Sequence, residues 1–122
     1  MSPSARSVFV FGLYLIGVGF GLLAQPDLVL RLLGFPPSGE VWPRVVGVLA
    51  LVLAYYYLLA ARAGLTGFFR WTVQARVAVF VVFAALVLCR LAPWPLVLVG
   101  AADLIAAMWT AFALRREAGR LT

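Results

Sequence analysis

The sequence predicts an all-α fold, an integral membrane four-helix bundle. Of its 122 residues, 66% are apolar and 11% are charged, whereas a soluble domain is about half apolar and a quarter charged. Four apolar runs of similar length follow one another, at residues 8–24, 42–61, 71–91 and 95–114. About 20 helical residues cross the hydrocarbon core of a bilayer, and no run shows the alternation typical of a membrane strand. We therefore expect one transmembrane domain over residues 1–122, surrounded by lipid.

The connection after the first run predicts a fifth, short helix. Pro26 interrupts the first helix, because proline lacks an N–H donor and clashes with the preceding turn. Residues 27–33 then favour a short helix at the membrane interface, with Asp27 in its first turn and Gly34 just past its end. A kinked extension of the first span is the alternative.

The remaining runs have clear boundaries. The second and fourth runs open on Trp42-Pro43 and Trp94-Pro95. Proline suits the first turn of a helix and tryptophan suits the membrane interface. A glycine-containing turn, residues 63–67, joins the second run to the third.

The arginines predict the orientation of the bundle. All ten basic residues are arginine, and the net charge is +6. One side of the predicted bundle carries Arg6, Arg62, Arg70, Arg76, Arg115, Arg116 and Arg120, and the other carries Arg31, Arg44 and Arg90. The positive-inside rule therefore predicts that both termini are cytoplasmic. Because the arginines mark the ends of apolar runs and form no patch on soluble structure, we expect no nucleic-acid partner.

Residue types argue against catalysis. The chain has no histidine, which is the commonest metal ligand and the usual general base near neutral pH. Cys89 is the single thiol, so no intramolecular disulfide can form. No glycine-rich phosphate loop or metal-ligand spacing is present. We expect no enzyme activity, no cofactor and no metal site.

Asp103 is the first candidate for a functional residue. It lies eight residues into the fourth run, which places it roughly 10–12 Å below the boundary of the membrane. An ionisable group at that depth is costly, usually faces the interior of the bundle and suggests function. Thr110 lies on the same helical stripe. Asp103 can form a structural ion pair or hydrogen bond, bind a ligand or proton, or contact a partner subunit.

Other polar side chains can join a cluster with Asp103. Arg76 lies in the opening turns of its helix, where the helix dipole opposes positive charge. Three tyrosines, Tyr55, Tyr56 and Tyr57, share its depth. A tyrosine–arginine cluster is one interpretation, and an arginine that extends to the lipid headgroups is the other. Arg44 serves as an interfacial anchor or reaches toward Asp103. Tyr14 lies on a stripe of the first helix that we consider part of the same candidate site.

Pairs of small residues predict close helix packing. Gly17 and Gly21 lie four residues apart on the first helix, and Ala50 and Ala54 do so on the second. Such pairs let a neighbouring helix approach closely. The neighbour is another helix of the same chain or a helix of a second copy.

Several short stretches resemble a bacterial group of small four-span proteins that is itself similar to the DoxX-like membrane family. The resemblance runs from about Pro26 to Leu114. It rests on Trp42 to Gly47, Tyr55 to Tyr57, Ala61-Arg62, Phe69 to Val73, Arg76, Gly100 to Leu104 and Trp109-Thr110. The resemblance implies a four-helix bundle in the bacterial cytoplasmic membrane. Some DoxX-like members are tied to quinone-linked redox complexes.

Two functions from different classes remain open. The chain acts as an accessory or scaffold subunit, as a homo-oligomer or within a larger membrane complex. Alternatively, it binds or transports a small apolar or amphipathic ligand, a quinone or a lipid, held between helices near Asp103. An ion or proton pathway would rest on Asp103 alone, because no other acid lies within the membrane to form a relay.

Overall fold

The computed structural model describes the backbone of residues 1–121 and the side chains up to Gly119, and it is helical throughout apart from short connections. The helices are α1 (Pro3–Ala24), α2 (Pro26–Leu32), α3 (Trp42–Ala63), α4 (Thr66–Leu88) and α5 (Pro95–Leu121). Four of them are long and apolar enough to cross a membrane. The prediction of an all-helical chain with four long apolar helices is confirmed. Of the arginines counted above, Arg120 has a side chain that lies outside the described residues.

The helices extend beyond the apolar runs at the polar ends. α1 begins at Pro3 because the Ser2 hydroxyl accepts a hydrogen bond from the Ala5 N–H at 3.1 Å, and proline suits the first turn. α4 begins at Thr66, five residues before the third apolar run, and α5 continues to Leu121. The length of an apolar run indicates the part of the helix that suits the hydrocarbon core. The ends of the helix itself are determined by backbone hydrogen bonding and capping.

Three helices end in the same left-handed motif. After α2 and α3 the left-handed residue is Gly34 (φ 87°) or Gly64 (φ 68°), and after α4 it is Arg90 (φ 61°). At α4 the Leu91 N–H donates to the Leu86 carbonyl at 2.8 Å, which satisfies a carbonyl at the helix end. A non-glycine residue in this conformation is uncommon.

The long helices run alternately up and down. Ala5, Tyr57 and Phe69 share one buried cluster, so α1 begins where α3 ends and α4 begins. Ser4 bonds Glu117, which brings the last turns of α5 to the same place. We call this the termini end and the opposite one the loop end. α1 packs against both α3 and α5, and α4 packs against α5, whereas α3 and α4 meet little beyond their shared turn.

Glycine allows the closest helix contact. A Cβ atom on Gly47 of α3 would lie 2.7 Å from the backbone oxygen of Gly19 on α1. The sequence predicts close packing at Gly17 and Gly21 instead, but a Cβ on Gly17 would meet nothing within 4 Å. A Cβ on Gly21 would contact Val29 of α2 rather than a long helix. The packing face of α1 is therefore rotated away from the predicted stripe.

Candidate functional site

Arg76 is buried in the termini half of the bundle. Its side chain is 3% exposed, and it makes three hydrogen bonds. Nε donates to the Thr72 carbonyl at 3.1 Å, and Nη2 donates to the hydroxyls of Thr72 and Thr110, each at 3.1 Å. Thr72 lies one turn earlier on α4, and Thr110 lies on α5, so the guanidinium joins the two helices.

Hydroxyl groups carry the network from Arg76 to α1. The Ser7 and Thr110 hydroxyls lie 2.7 Å apart, and Ser7 also donates to the Ser4 carbonyl at 2.7 Å. The single proton of Thr110 is donated either to Ser7 or to the Ala106 carbonyl, which lies 3.1 Å away. In both arrangements Thr110 turns a lone pair toward Arg76. The hydroxyl protons of Ser7 and Thr110 then point away from the cation, as electrostatics favours.

Glu117 ends the polar row at the termini end. Its two carboxylate oxygens accept from the Ser4 N–H at 2.8 Å and from the Ser4 hydroxyl at 2.7 Å. An acidic group at the start of α1 is stabilised by the helix dipole as well as by these bonds. The link between Ser4 and Ser7 runs through a backbone carbonyl. The row therefore fastens α1 to α5 but gives no continuous path for a proton.

Two aromatic rings complete the surroundings of Arg76. The guanidinium carbon lies 4.9 Å from the centre of the Phe11 ring and 5.9 Å from that of Tyr57. Nη1 is buried and has no hydrogen-bond partner within the described residues. The faces of aromatic rings attract cations. Among the described side chains, Arg76 has no ion-pair partner, and its charge is surrounded by hydroxyl oxygens, the Thr72 carbonyl and ring faces.

Asp103 is placed near this cluster but not in it. Its side chain is half-buried on α5, and its charge interacts electrostatically with that of Arg76. Among the described side chains, none forms a hydrogen bond or an ion pair with Asp103. Its part in the site therefore stays a prediction.

A groove opens between α1 and α5 beside the cluster. Its volume is about 350 Å³. It is lined by Ser7, Val10, Phe11, Tyr14, Ala102, Ile105, Ala106 and Trp109. Ile105 at its rim is 71% exposed, whereas Ser7 on its floor is 0% exposed. Ser7 and Phe11 also contact the Arg76 network, so the buried cation lies directly behind the floor of the groove.

The structure brings together some of the residues proposed from sequence and not others. Arg76 and Thr110 share hydrogen bonds, and Tyr14 lines the groove. Arg44 lies on the surface at the loop end, where its guanidinium donates to the Leu23 carbonyl near the end of α1. Tyr55 is 61% exposed and contacts the neighbouring Tyr56 ring. Neither Arg44 nor Tyr55 joins the cluster.

Sequence reasoning missed several members of the cluster. They are Ser4, Ser7, Phe11, Thr72 and Glu117. Tyr57 is one of the three tyrosines that the sequence places at the depth of Arg76, and it contacts the guanidinium. It also continues the buried small-residue stripe of Ala50 and Ala54 at helical spacing. For Ser4 and Ser7 the signal was their three-residue spacing on one face of α1.

No family model, curated protein or solved structure matches the chain. The resemblance to the DoxX-like family therefore stays a prediction.

Proposed function

We propose that this chain is a multi-pass membrane protein that binds one small amphipathic ligand, a quinone or a lipid, in the groove between α1 and α5. The observation that carries the proposal is the groove itself, with apolar walls and a floor that lies against a buried arginine. Phe11 on this floor contacts Arg76 directly, and Ser7 is linked to it through Thr110. Ligand sites are concave, mostly apolar and about 300–1,000 Å³ in volume, with few polar groups. The groove meets each of these criteria.

The wall and floor of the groove suit different parts of such a ligand. Val10 and Ile105 present exposed aliphatic side chains along the rim. Within a bilayer this rim faces acyl chains, so an apolar tail can enter sideways without crossing water. At the base, Ser7 is fully buried, and the positive charge of Arg76 lies behind it and behind the Phe11 ring. A ligand with an oxygen-bearing head and an apolar tail fits this combination better than a wholly apolar one.

The setting we propose is the bacterial cytoplasmic membrane, with both termini in the cytoplasm. At the termini end the exposed arginines are Arg6, Arg62, Arg70, Arg115 and Arg116. At the loop end they are Arg31, Arg44 and Arg90. The excess at the termini end supports a cytoplasmic location for that end by the positive-inside rule. The choice of bacterial membrane rests on the resemblance described above.

Filling the groove tests this function. Val10→Trp adds a large side chain at a position that is 43% exposed and lines the groove. Val52→Trp is the matched control, because Val52 is 44% exposed on α3, away from the groove. The full chain in mild detergent is titrated with decylubiquinone or with a phospholipid, and bound ligand is counted by native mass spectrometry.

We expect saturable binding of one molecule to the wild type and to Val52→Trp, and a large loss for Val10→Trp. The compound that shows saturable binding identifies the class of ligand, quinone or lipid. Equal binding by all three proteins, or no saturable binding of either ligand, would overturn the proposal.

A second candidate function, an accessory subunit of a larger complex, is favoured by the surface of α4. The buried residues of α4 are Phe69, Thr72 and Arg76, and none lies in its second half. Because α3 and α4 separate beyond their turn, this half of α4 is covered on one side only, by α5. Such a face suits a partner helix. Cross-linking of Val81→Cys in membranes to another polypeptide would support this function, and a purely monomeric product would oppose it.

A further inference from the structure

A second cavity continues the groove toward the termini end. Its volume is about 320 Å³. It is lined by Pro3, Trp109, Phe112, Ala113, Arg116 and Glu117. Trp109 lines both the groove and this cavity, so the two adjoin at its side chain along the seam of α1 and α5. We call the groove and this cavity together the trough.

The length of the trough matches one leaflet of a bilayer. Along α1 it extends from Pro3 to Tyr14, which is 11 residue steps. At 1.5 Å per residue this is about 16 Å. The hydrocarbon core of a bilayer is about 30 Å thick, so one leaflet contributes about half of that. The trough therefore begins at a membrane surface and ends near the bilayer centre.

The surface end of the trough has an exposed guanidinium. Arg116 lines it and stacks over the Phe112 ring, with 5.6 Å between the guanidinium carbon and the ring centre. Glu117 also lines it, but both of its oxygens accept hydrogen bonds from Ser4. Those bonds occupy the carboxylate oxygens, although Glu117 keeps its negative charge, and Arg116 is the exposed cation of this lining. Arg6 and Arg115 add positive charge near by without lining the trough.

We propose that the trough binds one anionic phospholipid, with its phosphate at Arg116 and one acyl chain along α1 and α5 past Trp109. The inference rests on the proposed function and names the class of ligand. A phosphate gains a charge-assisted bond to a guanidinium, whereas the neutral head of a quinone gains little there. In the orientation we propose, this end lies in the cytoplasmic leaflet, whose surface is negatively charged.

The experiment compares two headgroups on matched variants of the full chain. Phosphatidylglycerol and phosphatidylcholine with identical acyl chains compete for the detergent-solubilised protein, and native mass spectrometry measures the bound ratio. Arg116→Gln removes the charge that lines the trough. Arg115→Gln is the control, because it removes the same charge from the neighbouring exposed position.

The wild type and Arg115→Gln should prefer phosphatidylglycerol. Arg116→Gln should lower that preference about fivefold, the effect of one arginine near an anionic surface. Val10→Trp should reduce binding of both phospholipids, because the tryptophan side chain would fill the part of the groove that we assign to the acyl chain.

The failure of this inference is distinguishable from the failure of the proposed function. Equal binding of the two headgroups by the wild type, or equal losses in Arg115→Gln and Arg116→Gln, would overturn the anionic site at Arg116. If decylubiquinone still binds and Val10→Trp still blocks it, the groove keeps its function with a different ligand. If neither class of ligand saturates, both proposals fall.

Discussion

At the scale of single residues, the buried arginine is surrounded by hydroxyls that do not depend on it. Thr72 donates to the Phe69 carbonyl at 2.7 Å, and Ser7 donates to the Ser4 carbonyl at the same distance. Thr110 lies within hydrogen-bond distance of both Ser7 and the Ala106 carbonyl. Each hydroxyl therefore keeps an acceptor if the guanidinium is removed. The free-energy cost of the site therefore comes from burying the charge of Arg76. Removing the guanidinium would leave none of these hydroxyls without an acceptor.

This arrangement predicts an unusual ranking of two substitutions. Arg76→Met removes the charge, and its flexible thioether packs well against the Phe11 ring. Arg76→Lys keeps a buried charge but loses the planar stacking and cannot replace the Nε and Nη2 bonds together. We expect Arg76→Lys to lower the free energy of unfolding by about 1–3 kcal/mol more than Arg76→Met. Unfolding of the detergent-solubilised protein by a denaturing detergent measures the difference.

The same pair of substitutions at the exposed Arg62 is the control. Surface changes usually alter stability by less than about 0.5 kcal/mol, so the two Arg62 variants should be alike. Greater stability of Arg76→Lys than of Arg76→Met would show that a positive charge at this position is needed for folding.

At the scale of helices, the sequence predicts well which segments are helical. It predicts poorly which face of each helix is buried. Hydrophobic length identifies the four long helices, and Pro26 with Gly34 identifies the short one. The rotation of each helix depends on which neighbour it meets, and spacing along one helix does not contain that information. The spacing along α3 therefore favours Tyr55 as a site residue, although only Tyr57 lies on the buried face of α3.

The candidate site shows the same limit. Arg76 and Thr110 were recognisable because a charge and a hydroxyl are rare in apolar runs. Their contact through Nη2, and the link onward to Ser7, joins residues that are 34 and 103 positions apart in the chain. Such contacts follow from the packing of α1, α4 and α5 together. Composition and periodicity identify candidate residues for the site, but they do not predict which of these residues contact each other.

The contact between α1 and α3 gives a prediction at this scale. Gly47→Ala would place a Cβ 2.7 Å from the Gly19 carbonyl oxygen, a backbone atom that cannot move without its helix. The two helices must separate, which should cost about 1–3 kcal/mol. Gly17→Ala on α1 meets nothing within 4 Å and should be neutral or slightly stabilising. Thermal unfolding in detergent compares the two, and equal melting temperatures would contradict the close approach.

At the scale of the whole molecule, charge and burial are both unevenly distributed. The buried polar network and most exposed arginines lie toward the termini end. The loop end has Arg31, Arg44 and Arg90, of which Arg44 satisfies a carbonyl of α1. An uneven distribution of this kind orients a bundle during insertion and places the surface end of the trough at one face of the membrane.

The single cysteine makes this orientation measurable without engineering a new site. Cys89 is exposed and caps α4 at the loop end, opposite to the termini. In spheroplasts of a bacterium that expresses the chain, a membrane-impermeant maleimide should label Cys89 from outside. In a Cys89→Ala background, Thr66→Cys at the termini end should be labelled only after permeabilisation. The opposite pattern would place the arginine-rich end outside, and it would remove the anionic cytoplasmic surface from the argument for a phospholipid at Arg116.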